Sequence, residues 1–221
     1  GWGFGPIGTG LCYIGLLGLG RGLLALPFSL YSTFGIEERF GFNETTPRTF
    51  ALDLLKSVAL GVALGGPLLA AILWFFQSTG PYGWVYAWAV VTAVMLLLQF
   101  FAPRYLMPLF NDFEPLEEGA LRESILSYAD SVDFPVGEVY VMDGSRRSNK
   151  ANAFFTGFGG NRRIVLFDTL VEQLSVDELR SVVAHEMGHY KLNHIPQRIA
   201  TSVVQTGVLF LLLSLFLQVE G

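Results

Sequence analysis

Cysteine is all but absent. Cys12 is the single one among 221 residues, so no intrachain disulfide can form and a metal site built on thiolates is not expected. Charge is short as well: Lys, Arg, Asp and Glu make up 15% of the chain, against about a quarter in ordinary soluble domains. Histidine is rarer still, at three residues, and all three fall between positions 185 and 194. What fills the space is apolar: 52% hydrophobic residues, 19 phenylalanines and a mean hydropathy of +0.47. That balance describes an integral membrane protein carrying one polar region. The net charge of -5 offers no basis for binding nucleic acid. The chain opens on Gly1 with no charged leader, which reads as an internal beginning and not as a signal peptide.

The apolar runs predict four membrane spans, each near the ~20 residues needed to cross hydrocarbon. They cover residues 7–30, 54–76 and 84–101, with a fourth in 198–221, and a polar, aromatic loop fills 31–53. Gly18 with Gly22, and Gly61 with Gly65, form small-xxx-small pairs suited to close helix packing. Arg21 puts a charge inside the first span, where it should face a bundle interior or snorkel. Pro67 predicts a kink, and Tyr82, Trp84, Tyr86 and Trp88 an interfacial belt. Gly3, Gly5 and Gly8 spell G-x-G-x-x-G but follow no strand, so they are no nucleotide fingerprint. If the spans alternate, the loop 31–53 and the polar region 102–197 share one side and hold nearly every Lys and Arg. The positive-inside rule then places the polar region in the cytoplasm.

Within the polar region, 116–131 reads as an amphipathic helix and 136–142 as a short strand closed by Asp143-Gly144. Residues 145–150 form a basic loop. Residues 152–158 and 163–167 read as two strands joined by Gly159-Gly160-Asn161, a hairpin signal. An edge strand there could pair with an extended peptide through main-chain hydrogen bonds. A plain core hairpin fits the spacing equally well.

The remaining stretch, SVDELRSVVAHEMGHYKLNH from Ser175, holds His-Glu-x-x-His as His185, Glu186 and His189. Residues four apart share a helix face, so both rings can reach one metal ion. Glu186, one step round, is placed to take a proton from water at the open coordination position. The helix is supported by Ser175 with Glu178 as a capping box and by Leu179, Val182, Val183, Met187 and Tyr190 at helical spacing. Pro196 marks its expected end. His194, nine residues after His185, is expected behind the ligands or on the surface and not as a ligand. The fold class expected is mostly α: polytopic membrane helices plus a small α+β zinc-metallopeptidase domain at 102–197 with an HExxH helix.

Four stretches together resemble the CAAX prenyl endopeptidases, a family of membrane-embedded zinc metallopeptidases. They are YSTFGIEERFGFNETTPRTFALDLLK from Tyr31, APRYLMPLFNDFEPLEEG from Ala102, VYVMDGSRRSNKANAFFTGFGGNRRIVLFDTLV from Val139 and VVAHEMGHYKLNH from Val182. The similarity runs from about Pro27 to Pro196, with the long loops matching in order. It implies seven membrane helices around a water-filled chamber, with cleavage near a prenylated cysteine that releases a substrate's last three residues. It also implies zinc on His185 and His189, Glu186 as general base, and Asn152, Ala153, Phe154 and Phe155 as the substrate-lining strand. The family's third ligand is a downstream glutamate in a Glu-x-x-x-Asp pattern, which this chain lacks. Neither Asp168 nor Glu220 fits that pattern. With two early helices and the last one also unmatched, a fragment of a longer protein is expected. Two alternatives stand beside the prenyl-protease reading. One is a membrane quality-control metalloprotease acting on unprenylated peptides. The other is a non-catalytic fragment.

Overall fold

The computed structural model describes residues 3–156 and 162–219. The chain divides into two compact units, one of residues 1–36, 47–96 and 199–221, the other of 37–46 and 97–198. Among the described residues, four helices are long and apolar enough to cross a membrane: Gly5–Glu37, Pro47–Ser78, Gly80–Tyr105 and His194–Leu217. The first three run past both ends expected from hydropathy alone and the fourth starts earlier than expected, because helical backbone continues through flanking polar residues that a hydropathy window discounts.

In the helical unit, α1 (Gly5–Tyr31) passes into a π-helical turn over Ser32–Glu37, so the predicted loop shrinks to about ten residues before α2 (Pro47–Leu60). A second π turn, Gly61–Gly65, joins α2 to α3 (Gly66–Ser78). Pro67 has no N–H to give to Ala63, and the wider turn absorbs the missing bond. The expected kink is therefore a π insertion. The small-residue pairs meet no close neighbour among the described residues. A Cβ at Gly18, Gly22, Gly61 or Gly65 would meet nothing within 4 Å, whereas one at Gly10 would stand 3.0 Å from Leu73 Cδ1. Gly10 is the position that lets α1 approach α3. Arg21 is exposed among the described residues. Trp88, on α4 (Gly83–Tyr105), is a packing residue as well as a member of the expected belt. Its Nε1 donates to Val203 O at 2.9 Å, and a Cβ at Gly207 would stand 3.2 Å from the same nitrogen. Spacing along one helix could not reveal that partner.

The second unit is built on a four-stranded sheet of order β1-β2-β4-β3. The strands are β1 (Phe113–Pro115), β2 (Glu138–Met142), β3 (Ala153–Thr156) and β4 (Arg163–Phe167). β2 and β4 run parallel with Val139 opposite Ile164, and β3 pairs antiparallel to β4 with Ala153 opposite Leu166. The Gly159-Gly160-Asn161 turn lies outside the described residues. Between β1 and β2 lies α5 (Ala120–Ser131), which starts four residues later than expected because Pro115 still belongs to β1. After β4 come α6 (Asp168–Gln173), α7 (Val176–Lys191) and α8 (His194–Val219). Ile125 and Ala129 of α5 pack with Ile164 and Leu166 of β4, Ala153 of β3, and Leu179, Val183 and Met187 of α7 in one core. The apolar residues of α7 recur every four positions, which presses one stripe of that helix against the others.

Candidate active site

The helix α7 starts at the predicted capping box. The Ser175 N–H donates to the Glu178 carboxylate at 2.9 Å, and Ser175 Oγ donates to it at 2.7 Å. These two bonds hold the Glu178 carboxyl below its ordinary pKa. The linkage follows directly: the cap is present above the unfolded-state value and is lost as pH falls through the depressed one. The other end departs from expectation. The helix stops at Lys191, and Asn193 takes a left-handed φ of 55°, a conformation asparagine tolerates at a helix end. Asn193 O then accepts from Gln197 N at 3.1 Å, opening α8. Pro196 thus lies in the first turn of the next helix, where its missing N–H costs nothing.

With Leu179, Val183 and Met187 turned into the core, His185 and His189 emerge on the outward side of α7. Their Nε2 atoms stand 3.2 Å apart and the rings are nearly perpendicular, at 89°. Two nitrogens on one tetrahedral zinc, each at ~2.0–2.1 Å, would be about 3.3 Å apart. The pair fits a shared cation. The turn at Asn193 brings back His194, whose Nδ1 lies 2.7 Å from His189 Nδ1. In the tautomer that carries the proton on His189 Nδ1, the Nε2 lone pair is left free on the His185 side. Glu186 is half-buried, about 100° round the helix from His185 and about 60° from His189. Among the described residues no group of three or more His, Cys, Asp or Glu is arranged to hold a metal. Asp168 is engaged elsewhere, accepting from the Ser145 hydroxyl and, at 2.8 Å, from the main-chain N–H of Ser145 and of Thr169. Glu220 lies outside the described residues.

β3 lies beside α7 at the edge of the sheet. Phe167 N donates to Asn152 O at 3.0 Å. The antiparallel alternation then turns the backbone groups of Asn152 and Phe154 toward β4 and those of Ala153 and Phe155 toward the open edge. The Ala153 N–H is taken by Asn152 Oδ1 at 3.0 Å. Phe155 is fixed against Phe134, with ring centroids 5.1 Å apart, and Phe154 meets Phe167 edge-on at 6.2 Å. The same strand walls a pocket of 280 Å³ together with Gln99, Pro103, Met107 and Ile195. Spacing alone foresaw neither this pocket nor the contact between His189 and His194.

Two family models match this chain. Residues 2–112 match the CAAX prenyl protease N-terminal model, described as five membrane helices, and residues 115–221 match peptidase family M48. Of the five, three apolar spans fall in the matched stretch among the described residues. The CAAX prenyl protease 1 of Saccharomyces cerevisiae is 43% identical over 95% of this chain and 46% of its own length. The rice homologue is 49% identical over 76% of this chain and 40% of its own, and the human homologue 35% over 97% and 54%. The crystal structure of S. mikatae Ste24p superposes with a TM-score of 0.85 at 44% identity, covering 91% of this chain and 48% of that one. The chain spans about half the length of the curated relatives it matches. Family M48 is a metallopeptidase family, which implies a metal. From its four apolar helices, the HExxH helix beside a small sheet, and these matches, the chain is an integral membrane protein belonging to the CAAX prenyl protease family of M48 peptidases.

Proposed function

We propose that this chain carries the core of a zinc endopeptidase that cuts a peptide bond near a prenylated C-terminus on the cytoplasmic side of a membrane. The observation that carries the reading is the 3.2 Å approach of the two Nε2 atoms. His185 and His189 hold the ion, and the third ligand is a glutamate beyond these 221 residues. When bound, zinc supplies a Lewis acid that polarises the scissile carbonyl and makes its water acidic near neutral pH. Glu186 takes a proton from the attacking water as the new C–O bond forms, and returns one to the amine nitrogen as the C–N bond breaks. The open edge of β3 holds the peptide extended, with Ala153 O and the Phe155 backbone as its hydrogen-bonding groups. The apolar pocket beside that edge supports a substrate bearing apolar side chains or lipid. The concentration of Lys and Arg in 31–53 and 102–197 supports the cytoplasmic orientation.

The test is equilibrium dialysis of zinc against a protein of the relatives' full length that carries this segment, in nanodiscs. One equivalent is expected for the parent, and none for His185→Ala or His189→Ala at unchanged helicity. Retention of a full equivalent by either variant would rule out the pair as the site. His194→Ala is expected to keep the site but lower zinc affinity about 10–100-fold, the usual cost of removing a group that orients a ligand. Equal cleavage of a farnesylated peptide and its unmodified twin, by a protein of the relatives' full length, would favour a general membrane protease.

A further inference from the structure

Two of the long loops, 37–46 and 145–151, contain no residue given a chemical role above, yet they grip one another. Asn43 and Ser148 form an isolated β-bridge. Asn149 N donates to Phe42 O at 3.1 Å, and Asn149 Nδ2 donates to Glu44 Oε1 at 2.6 Å and to Gly41 O at 3.2 Å. Lys150 Nζ meets Glu37 Oε1 at 2.6 Å and sits 5.3 Å from the centre of the Phe42 ring. From the opposite side, α6 takes hold of the same two residues: Gln173 Nε2 donates to Asn149 O and Thr169 Oγ1 to Lys150 O, both at 3.1 Å. Three residues after Lys150 begins β3. That strand is short, four residues, and is paired on one side, so its own ladder does little to fix where it starts. Its lead-in is instead held by two partners, the loop 37–46 from more than a hundred positions away and α6 from within 24.

We infer that Asn149 and Lys150 are positioning residues for peptide recognition: held by the loop after the first span, they set the register at which β3 offers its open edge. The inference rests on the reading of β3 as the peptide-binding strand. A one-residue slip would exchange inward and outward backbone groups, so loosening the clamp weakens peptide binding. It leaves α7, which is anchored through its own core stripe, able to bind metal. The ion pair itself is half exposed, with side chains at 52% and 32%, and such a pair contributes modestly. Asn149, with two side-chain bonds into the loop, carries more.

The experiment uses a protein of the relatives' full length that carries this segment, in nanodiscs, and a fluorescein-labelled peptide ending in a farnesylated cysteine and three further residues. Binding is read by anisotropy, amide exchange is followed at residues 153–156, and zinc affinity is measured in parallel. Asn149→Ala is expected to raise the peptide Kd about tenfold, the scale of one or two lost hydrogen bonds, with zinc affinity within about twofold. Lys150→Glu weakens peptide binding by less, and adding Glu37→Lys restores it. Unchanged peptide affinity in both single variants would overturn the inference. So would a loss of zinc binding in step with peptide binding, since that is general unfolding. If the parent binds peptide without slowing exchange at 153–156, or binds none, the β3 reading fails and takes this inference with it.

Discussion

Replacing Glu186 with glutamine is expected to lower kcat for peptide hydrolysis by about 10²–10⁴-fold, the usual contribution of a positioned general base. The setting is a protein of the relatives' full length that carries this segment. The exchange keeps shape and volume and removes the capacity to accept a proton. Glu186 lies beside two histidines whose nitrogens already face one another at 3.2 Å, so the zinc content should not change. KM should move little, because the open edge of β3 and the pocket next to it are untouched. These three readouts separate the readings of the residue. A ligand role would lose the metal with the activity. A purely structural role would lower the melting temperature and raise KM as kcat falls. A scaffold would have no activity to lose in the parent. Retention of more than about a tenth of parental kcat at full zinc occupancy would remove Glu186 from the chemistry.

The features legible in the sequence share one property: their cause lies within a few residues. His185 and His189 face one another because four residues make about one helical turn. The Ser175–Glu178 cap forms because both partners sit at one helix start. The spans announce themselves because hydrocarbon admits runs of apolar residues. What escaped depends on partners far along the chain. The role of Trp88 in packing shows only when Val203, 115 positions on, takes its N–H. Gly18 and Gly22 look like a packing seam, yet the close approach is at Gly10, where Leu73 happens to arrive. β1 has three residues, too few for any alternation to register, and exists because β2 offers it an edge. The parallel pairing of β2 with β4 leaves no mark in a pattern that encodes faces and not neighbours. Pro196 misled for a related reason. A proline ends one helix or opens the next, and Asn193, with its left-handed backbone, decided which.

Leu166→Ala is expected to destabilise the sheet-containing unit by about 2–5 kcal/mol, the range for truncating a fully buried leucine. Leu166 is 0% exposed. It lies on β4, the strand bonded on both sides, opposite Val141 of β2 and Ala153 of β3. Its side chain belongs to the core that also takes Leu179, Val183 and Met187 of α7. A cavity there has no flexible edge from which to refill. Domains are held by only ~5–15 kcal/mol, so the loss should appear as faster amide exchange throughout β3, β4 and α7 in nanodiscs. The same truncation at Leu24, on α1 and 75% exposed, removes no contact of that kind and should leave exchange in β3, β4 and α7 unaltered. Zinc provides the internal check. The histidines point away from the core but stand on a helix that the core alone fixes, so metal binding and docking of α7 are thermodynamically linked. A ligand that binds the docked state stabilises it by RT ln(1 + [L]/Kd). Saturating zinc should therefore slow exchange in Leu166→Ala, and should do nothing for Leu166→Ala combined with His185→Ala. If zinc protected both variants equally, the cation would be held somewhere other than between His185 and His189.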